Sequence, residues 1–247
     1  MGAGMLTNLR KAGFDTRGFD TQTIPGVGND IDAFCAGLTT LITVVRDAAE
    51  TDALLFHDQA ITTRATRLKT NVISSTLSPN YVKALRAQIA DTITLIDAPM
   101  SGAQVKADAG TLTFMTGGDS QKIMPLLQAM GKEIHHMGQF GAGMTAKVLN
   151  NLLAASNTAM TRLVLDWADA AGLEEDKLLN LIHSASGQNW LASGFNQIEF
   201  ARDGYTPDNT IGILVKDVEA ARDLVKDATL PKAVQDTIRN LKPRDKP

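Results

Sequence analysis

Cysteine, aromatic residues and blocks of like charge are scarce in this 247-residue chain, and each scarcity excludes something. The single thiol, Cys35, rules out an intramolecular disulfide, a zinc ribbon and a Cys-x-x-Cys pair. That usage fits a reducing compartment such as the cytoplasm. With 24 basic against 27 acidic side chains, a formal net charge of −3 and only 5% aromatics, no electrostatic footprint for nucleic acid or an anionic membrane surface is present. Small acidic substrates stay within reach, because a few local cations suffice to hold them. No run approaches the ~18 consecutive apolar residues of a membrane span. Residues 1–10 (MGAGMLTNLR) lack the basic-then-apolar order of a signal peptide and run directly into helical periodicity. Metal and nucleophile templates are missing as well. His57, His135, His136 and His183 share no ligand spacing, and the adjacent His135 and His136 point to opposite sides of a strand. There is no Gly-x-Ser-x-Gly elbow.

What is present is a hydrophobic content of 44%, enough for one large domain or two modest ones with real cores. Met5, Leu9 and Ala12 recur at helical spacing up to Gly13, and residues 15–20 (DTRGFD) read as a short strand. Residues 38–45 (LTTLITVV) and 71–74 (NVIS) are β-branched runs of the kind buried in parallel sheets, with helix-permissive sequence over 48–68 between them. Ser78-Pro79 starts a helix whose Val82, Leu85 and Ile89 share a face. Leu95 and Ile96 begin the next strand, residues 110–117 alternate like another, and residues 123–130 read as helix. The βαβα order predicts a doubly wound α/β sheet. From Gly143 to Gly172 the sequence keeps a helical stripe of Val148, Leu152, Ala155, Ala159, Leu163 and Trp167, a helix about 40 Å long at ~1.5 Å per residue. It leads into an all-helical domain with further segments at 178–183, 190–201 and 213–225. The expected domains are residues 1–140 and 141–247, with a frayed tail from Lys242.

Three stretches can carry chemistry. In GQFGAGMTAKVLNN (138–151) a glycine-rich approach enters a helix with Lys147 near its start and Asn151 one turn on, on the same face. The positive end of the helix dipole disfavours an ammonium there, as a lysine general acid/base requires. On spacing alone, a solvated surface lysine is the commoner explanation. In DAPMSGAQVKADAGTL (97–112), Ser101-Gly102 follows a strand, where ligands bind in open α/β sheets; taken alone, a plain turn between strands is the better explanation. Ser74-Ser75-Thr76 ends another strand, where a hydroxyl can meet a cofactor or simply cap a helix.

Taken together and in order, DAPMSGAQVKADAGTLTFMTGG, GAGMTAKVLNN, ASGQNW and VKDVEAA resemble the β-hydroxyacid dehydrogenases, the group of 3-hydroxyisobutyrate dehydrogenase, tartronate semialdehyde reductase and L-threonate dehydrogenase. The resemblance covers nearly the whole chain, because MGAGMLTNLRKAGFDTRGFD also looks like this family's first helix and second strand. It implies a Rossmann-like sheet followed by an all-α domain, entered through a long interdomain helix. It further implies hydride transfer between NAD(P) and a small β-hydroxy acid such as 3-hydroxyisobutyrate, threonate or a tartronate semialdehyde-type substrate. Lys147 matches the proton-transferring lysine and Asn151 the asparagine beside it. Ser101 and Gly102, with Ala103 next, match the cradle of the substrate carboxylate. Thr76 and Lys216 match cofactor contacts, Met1 and Gly2 the end of the dinucleotide loop, and Val45 and Arg46 its adenine or pyrophosphate side. Asp20 falls where an acid binds the adenosine ribose and repels a 2′-phosphate, so NAD is preferred and NADP possible. The resemblance also implies a homodimer or higher homo-oligomer. An imine reductase of the same fold is disfavoured by Lys147.

Departures from the pattern are specific. Ala103 stands where the family usually has a second glycine. Val45-Arg46-Asp47 replaces a Leu-Pro pair, so that Arg46 either approaches a phosphate or is solvated. The segments after Thr21 and after Lys226 are short. The family's apolar first strand and Gly-x-Gly-x-x-Gly loop are matched only at their end, with Gly2 in the third glycine's place. The sheet is thus expected with its first strand missing, and the polypeptide to start about ten residues earlier, since that strand carries the pyrophosphate turn. The alternative is a non-catalytic helical dimerisation or ligand-binding remnant that has lost dinucleotide binding.

Overall fold

A computed structural model describes residues 1–225 and 228–245. The chain divides into two compact units, Met1–Lys147 and Val148–Pro247. In the first, β1 (Thr40–Thr43), β2 (Thr70–Ile73) and β3 (Thr94–Asp97) run parallel, with Thr40, Thr70 and Thr94 aligned. Alternation along these strands sorts their side chains. Leu41, Ile73 and Leu95 join one core with α3 (Ala48–Leu55), α4 (Ile61–Arg64) and α5 (Pro79–Ala84), where Leu55, Ile61 and Val82 are fully buried. Val72 and Ile96 join the opposite core with α1 (Gly2–Lys11), α6 (Ala103–Ala109) and α7 (Met124–Met130) through Met5, Leu9, Ala107, Leu127 and Met130. Each such aliphatic side chain contributes roughly 1.5–3 kcal/mol on burial, so both layers are held chiefly by the hydrophobic effect. A short α2 (Ile31–Cys35) is started by Asp30, whose carboxylate accepts from the amides of Asp32 and Ala33. Ser78 likewise caps α5 by accepting from Tyr81 N, with Pro79 at the first helical position.

The sheet is mixed and not wholly parallel. β5 (Leu112–Gly117) runs antiparallel to β3 and to the two-residue β4 (Met100–Ser101), while β6 (Gly131–Gly138) runs parallel to β5. The cause is the return path. After β4 the chain makes the single short helix α6, turns at Gly110 (φ +68°) and comes straight back. Three other stretches differ from expectation. Residues 15–20 form no strand beyond the isolated Phe19–Gly28 bridge, because among the described residues no sheet strand lies beside them. The helical stretch 48–68 is broken after Leu55, and Ala60 adopts φ +46° before α4 begins. Asn71, expected only as part of an apolar run, is fully buried and its amide has no hydrogen-bond partner. An orphaned buried amide costs about 1–3 kcal/mol. Asn71→Val, with β-branched shape between the aligned Leu41 and Leu95, is therefore expected to raise the thermal midpoint by several degrees. An unchanged or lower midpoint would show that the amide is satisfied.

The second unit is helical. α8 (Ala142–Ala170), which begins in the first unit, is followed by α9 (Glu175–Ser184), α10 (Trp190–Ser193), α11 (Thr210–Arg222) and α12 (Thr229–Arg239). Ala155 and Ala159 pack with Ile211, Val218, Val234 and Ile238, and Leu165 packs with Leu179, Leu191 and Phe195. Residues 190–201 are helical only over α10, where Gly194 and a chain of tight turns take over. α12 appears beyond Lys226, a residue that itself lies outside the described ones. The tail is not frayed over residues 242–245. Arg162 donates to Lys242 O, and Arg244 pairs with Asp166, Asp169 and Glu175. Lys246 and Pro247 lie outside the described residues. Trp167 leaves the buried stripe and is 65% exposed. Among the described residues no helix is long and apolar enough to cross a membrane.

Candidate active site

The start of α8 is fixed by a buried carboxylate. Asp97, at the end of β3, is fully buried; its Oδ1 accepts from Gly141 N at 2.7 Å and its Oδ2 from Met144 N at 2.5 Å. Burial pushes this carboxyl above its ordinary range, and the amides of Gly141, Met144 and Gly143 pull it back. Two glycines make the approach possible. A Cβ on Gly117 would overlap Asp97 Oδ1, and one on Gly143 would overlap the Met115 carbonyl oxygen. Asp97 therefore occupies the positive end of the α8 dipole, the end that was expected to act on Lys147.

Lys147 is the sixth residue of α8, and Asn151 lies one turn on; both are buried, at 7% and 8% exposure. Asn151 Nδ2 donates to Asp217 Oδ2 at 2.6 Å, which fixes the amide so that its oxygen faces away from that carboxylate. Asn150 Nδ2 donates to that oxygen at 3.3 Å. Asp217 is itself buried, on α11 among Leu214, Val215, Val218 and Ala221. Sequence reading singled out its neighbour Lys216, which is exposed. The missed signal was periodicity: Asp217 is the acidic residue on the apolar face of α11.

Ser101 closes β4 and Gly102 precedes α6. Gly102 has φ +136°, and a Cβ on it would come within 2.6 Å of the Lys106 side chain, so only glycine fits. Ala103, in the place of a usual glycine, adopts φ +56°. A side chain in this left-handed region costs roughly 1–2 kcal/mol, part of which glycine returns as chain entropy on unfolding. Ala103→Gly is therefore expected to stabilise the protein by about 0.5–1 kcal/mol, read as a higher urea midpoint. A lower midpoint would show that Ala103 is unstrained.

Other residues gather at the carboxyl ends of β1 and β2. A Cβ on Gly2 would be in ordinary contact with Val44, and Val45 N donates to Ser75 Oγ at 2.8 Å, beside Thr76. The amides at the start of α1 have no side-chain cap, and the buried Ser74 hydroxyl has no partner. An uncapped helix start and an orphaned hydroxyl are groups that accept a diphosphate and its ribose, so these residues fit a dinucleotide. Met1 is 41% exposed. Arg46 points its guanidinium at Glu50, 2.6 Å away, and is largely solvated. Asp20 Oδ1 accepts from Gln22 N at 2.8 Å in a loop where Asp20 N donates to Gly28 O. The structure thus brings Gly2 against Val44 and Val45 against Ser75, next to Thr76, and places Lys147 and Asn151 one turn apart on α8. Lys216 belongs to the second unit.

Comparison with known proteins supplies the family. Residues 1–138 match the family model described as the NAD binding domain of 6-phosphogluconate dehydrogenase, and residues 141–242 that described as the NAD-binding domain of NADP-dependent 3-hydroxyisobutyrate dehydrogenase. The NAD-dependent L-serine dehydrogenase of Pseudomonas aeruginosa is 33% identical over 214 residues, covering 79% of this chain and 70% of its own. The L-threonate dehydrogenase of Pectobacterium atrosepticum is 27% identical over 257 residues, covering 98% and 84%. Among solved structures, a Mycobacterium tuberculosis 3-hydroxyisobutyrate dehydrogenase with L-serine superposes with a TM-score of 0.79 at 27% identity, covering 96% of this chain and 88% of that one.

Proposed function

We infer the activity from the premise that this chain belongs to the β-hydroxyacid dehydrogenase family, whose members include the 3-hydroxyisobutyrate and L-threonate dehydrogenases. It is an NAD(P)-dependent oxidoreductase that transfers hydride between the nicotinamide and the hydroxyl-bearing carbon of a small β-hydroxy acid. When bound, the nicotinamide supplies the hydride acceptor. Lys147 Nζ takes the hydroxyl proton as the carbon loses hydride, and returns it in the reductive direction. Asn151, held by Asp217, orients the substrate hydroxyl beside that nitrogen. Backbone amides of Ser101, Gly102 and Ala103 hold the carboxylate. Met1, Gly2, Val45, Arg46 and Thr76 of the first unit hold the cofactor, and Asp20 makes NAD the preferred form by accepting from ribose hydroxyls and repelling a 2′-phosphate.

The observation that carries this reading is the pair of buried polar side chains Lys147 and Asn151 on one face of α8, with Asn151 hydrogen-bonded to the buried Asp217. Such groups cost free energy to bury and are kept where they serve chemistry or structure. The test is NADH formation by the purified protein from NAD with L-threonate, L-serine and 3-hydroxyisobutyrate, repeated with NADP. Turnover of one hydroxy acid with a higher kcat/KM for NAD is expected. No turnover with any of them, together with no NADH binding, would overturn the reading.

Two finer points belong with it. The exposed Leu149, Leu153, Met160 and Trp167 recur along the face of α8 opposite Lys147, with the near 3.5-residue spacing of a helix-pairing seam. They support a homodimer through this helix, which light scattering would register as twice the chain mass. The cytoplasm suits the protein because Cys35 is free and buried.

A further inference from the structure

We propose that Asp97 is a positioning residue for the reaction, clamping the segment that carries Ser101 and Gly102 to the first turn of the helix that carries Lys147. The proposal rests on the reading of Lys147 and the carboxylate cradle given above. A buried carboxylate is an expensive way to cap a helix when serine or asparagine would serve. Here both its oxygens are used, on amides three residues apart, Gly141 and Met144. The neighbouring backbone has no slack, since Gly117 and Gly143 leave room for no Cβ against Asp97 and Met115. The segment is short in both directions. Four residues after Asp97 comes Ser101, and three residues after Met144 comes Lys147. A helix is stiff over one turn, so a shift of the first turn carries Lys147 Nζ with it. A displacement near 1 Å costs on the order of 10²-fold in rate when a reacting group is misplaced.

The experiment compares wild type, Asp97→Asn and Asp97→Ser, using NAD, the hydroxy acid that the wild type oxidises and its form deuterated at the reacting carbon. In Asp97→Asn, kcat is expected to fall by at least about 10-fold while NADH affinity stays close to that of wild type. The deuterium isotope effect on kcat should rise, because proton and hydride transfer become the slow step. Hydrogen exchange at the amides of Gly141 and Met144 should quicken, a readout independent of turnover. A folded Asp97→Asn enzyme with unchanged kcat and isotope effect overturns the proposal. So does a loss of kcat that only follows the unfolded fraction, with the isotope effect unchanged. If Asp97→Asn does not fold, the same criteria apply to Asp97→Ser, and failure of both to fold assigns Asp97 to folding alone and overturns the proposal. Absence of wild-type turnover would overturn the functional reading first and this proposal with it, whereas unaffected variants of an active enzyme overturn this proposal only.

Discussion

Lys147→Met will give a folded protein that binds NADH as the wild type does and oxidises its hydroxy acid about 10²–10⁴-fold more slowly, the range that a positioned general acid/base supplies. Methionine keeps the unbranched length of lysine and removes the ammonium, so packing around the buried position changes little. The loss should fall on kcat more than on the KM for NAD, because Lys147 acts on the substrate hydroxyl. Steady-state kinetics combined with an NADH fluorescence titration separates the two. Retention of more than about a tenth of wild-type kcat would remove Lys147 from the proton transfer and leave it as a buried structural lysine.

How much of this was legible in the sequence depends on which interaction fixes each feature. Strand cores and helix faces were readable because Leu41, Val72, Ile96, Val82, Leu85 and Ile89 obey the periods of two and 3.6 that local geometry imposes, and all are buried. The direction of β5 was not readable, since alternation looks the same in parallel and antiparallel strands; what decides it is the short return through α6 and Gly110. Residues 15–20 failed as a strand for a related reason: β propensity needs a neighbour to pair with. At the site, spacing on one helix pairs Lys147 with Asn151, but spacing alone favours a surface lysine, and it is the family resemblance that assigns the two their roles. Asp97 was passed over because its partners are backbone amides 44 and 47 residues away, which no local pattern encodes. Asp217 was hidden beside the more conspicuous Lys216. An acidic residue in phase with Leu214 and Ala221 was the available signal. Trp167 shows the converse case, an apolar residue at helical spacing that faces outward.

Arg162→Met will destabilise the helical unit by about 3–5 kcal/mol, the largest stability loss expected of a single side chain here. Arg162 is 1% exposed, and its guanidinium donates to Ala201 O at 2.9 Å, to Asp203 O at 2.8 Å and to Lys242 O. Burial pushes this guanidinium below its ordinary value, a push that Asp166 opposes and Arg244 and Arg202 reinforce. Methionine fills most of the volume but leaves three carbonyls without their donor, including the one that ties the tail to α8. Around it, Glu175 receives Arg202 at 2.6 Å and Arg244 at 2.9 Å. Burial alone would raise the Glu175 carboxyl, yet the two arginines hold it below the ordinary glutamate value. The stability it contributes is therefore present above that ordinary value and is lost as pH falls through the lowered one. In urea, Arg162→Met should unfold at a clearly lower midpoint, with exchange quickened first at residues 201–203 and 242–245. Its deficit should persist at neutral pH, because the lost donors carry no titration in that range, whereas Glu175→Gln should lose most near neutrality and least in acid. Equal deficits for Glu175→Gln at every pH would show that the arginine cluster around Glu175 adds no stability through its charge.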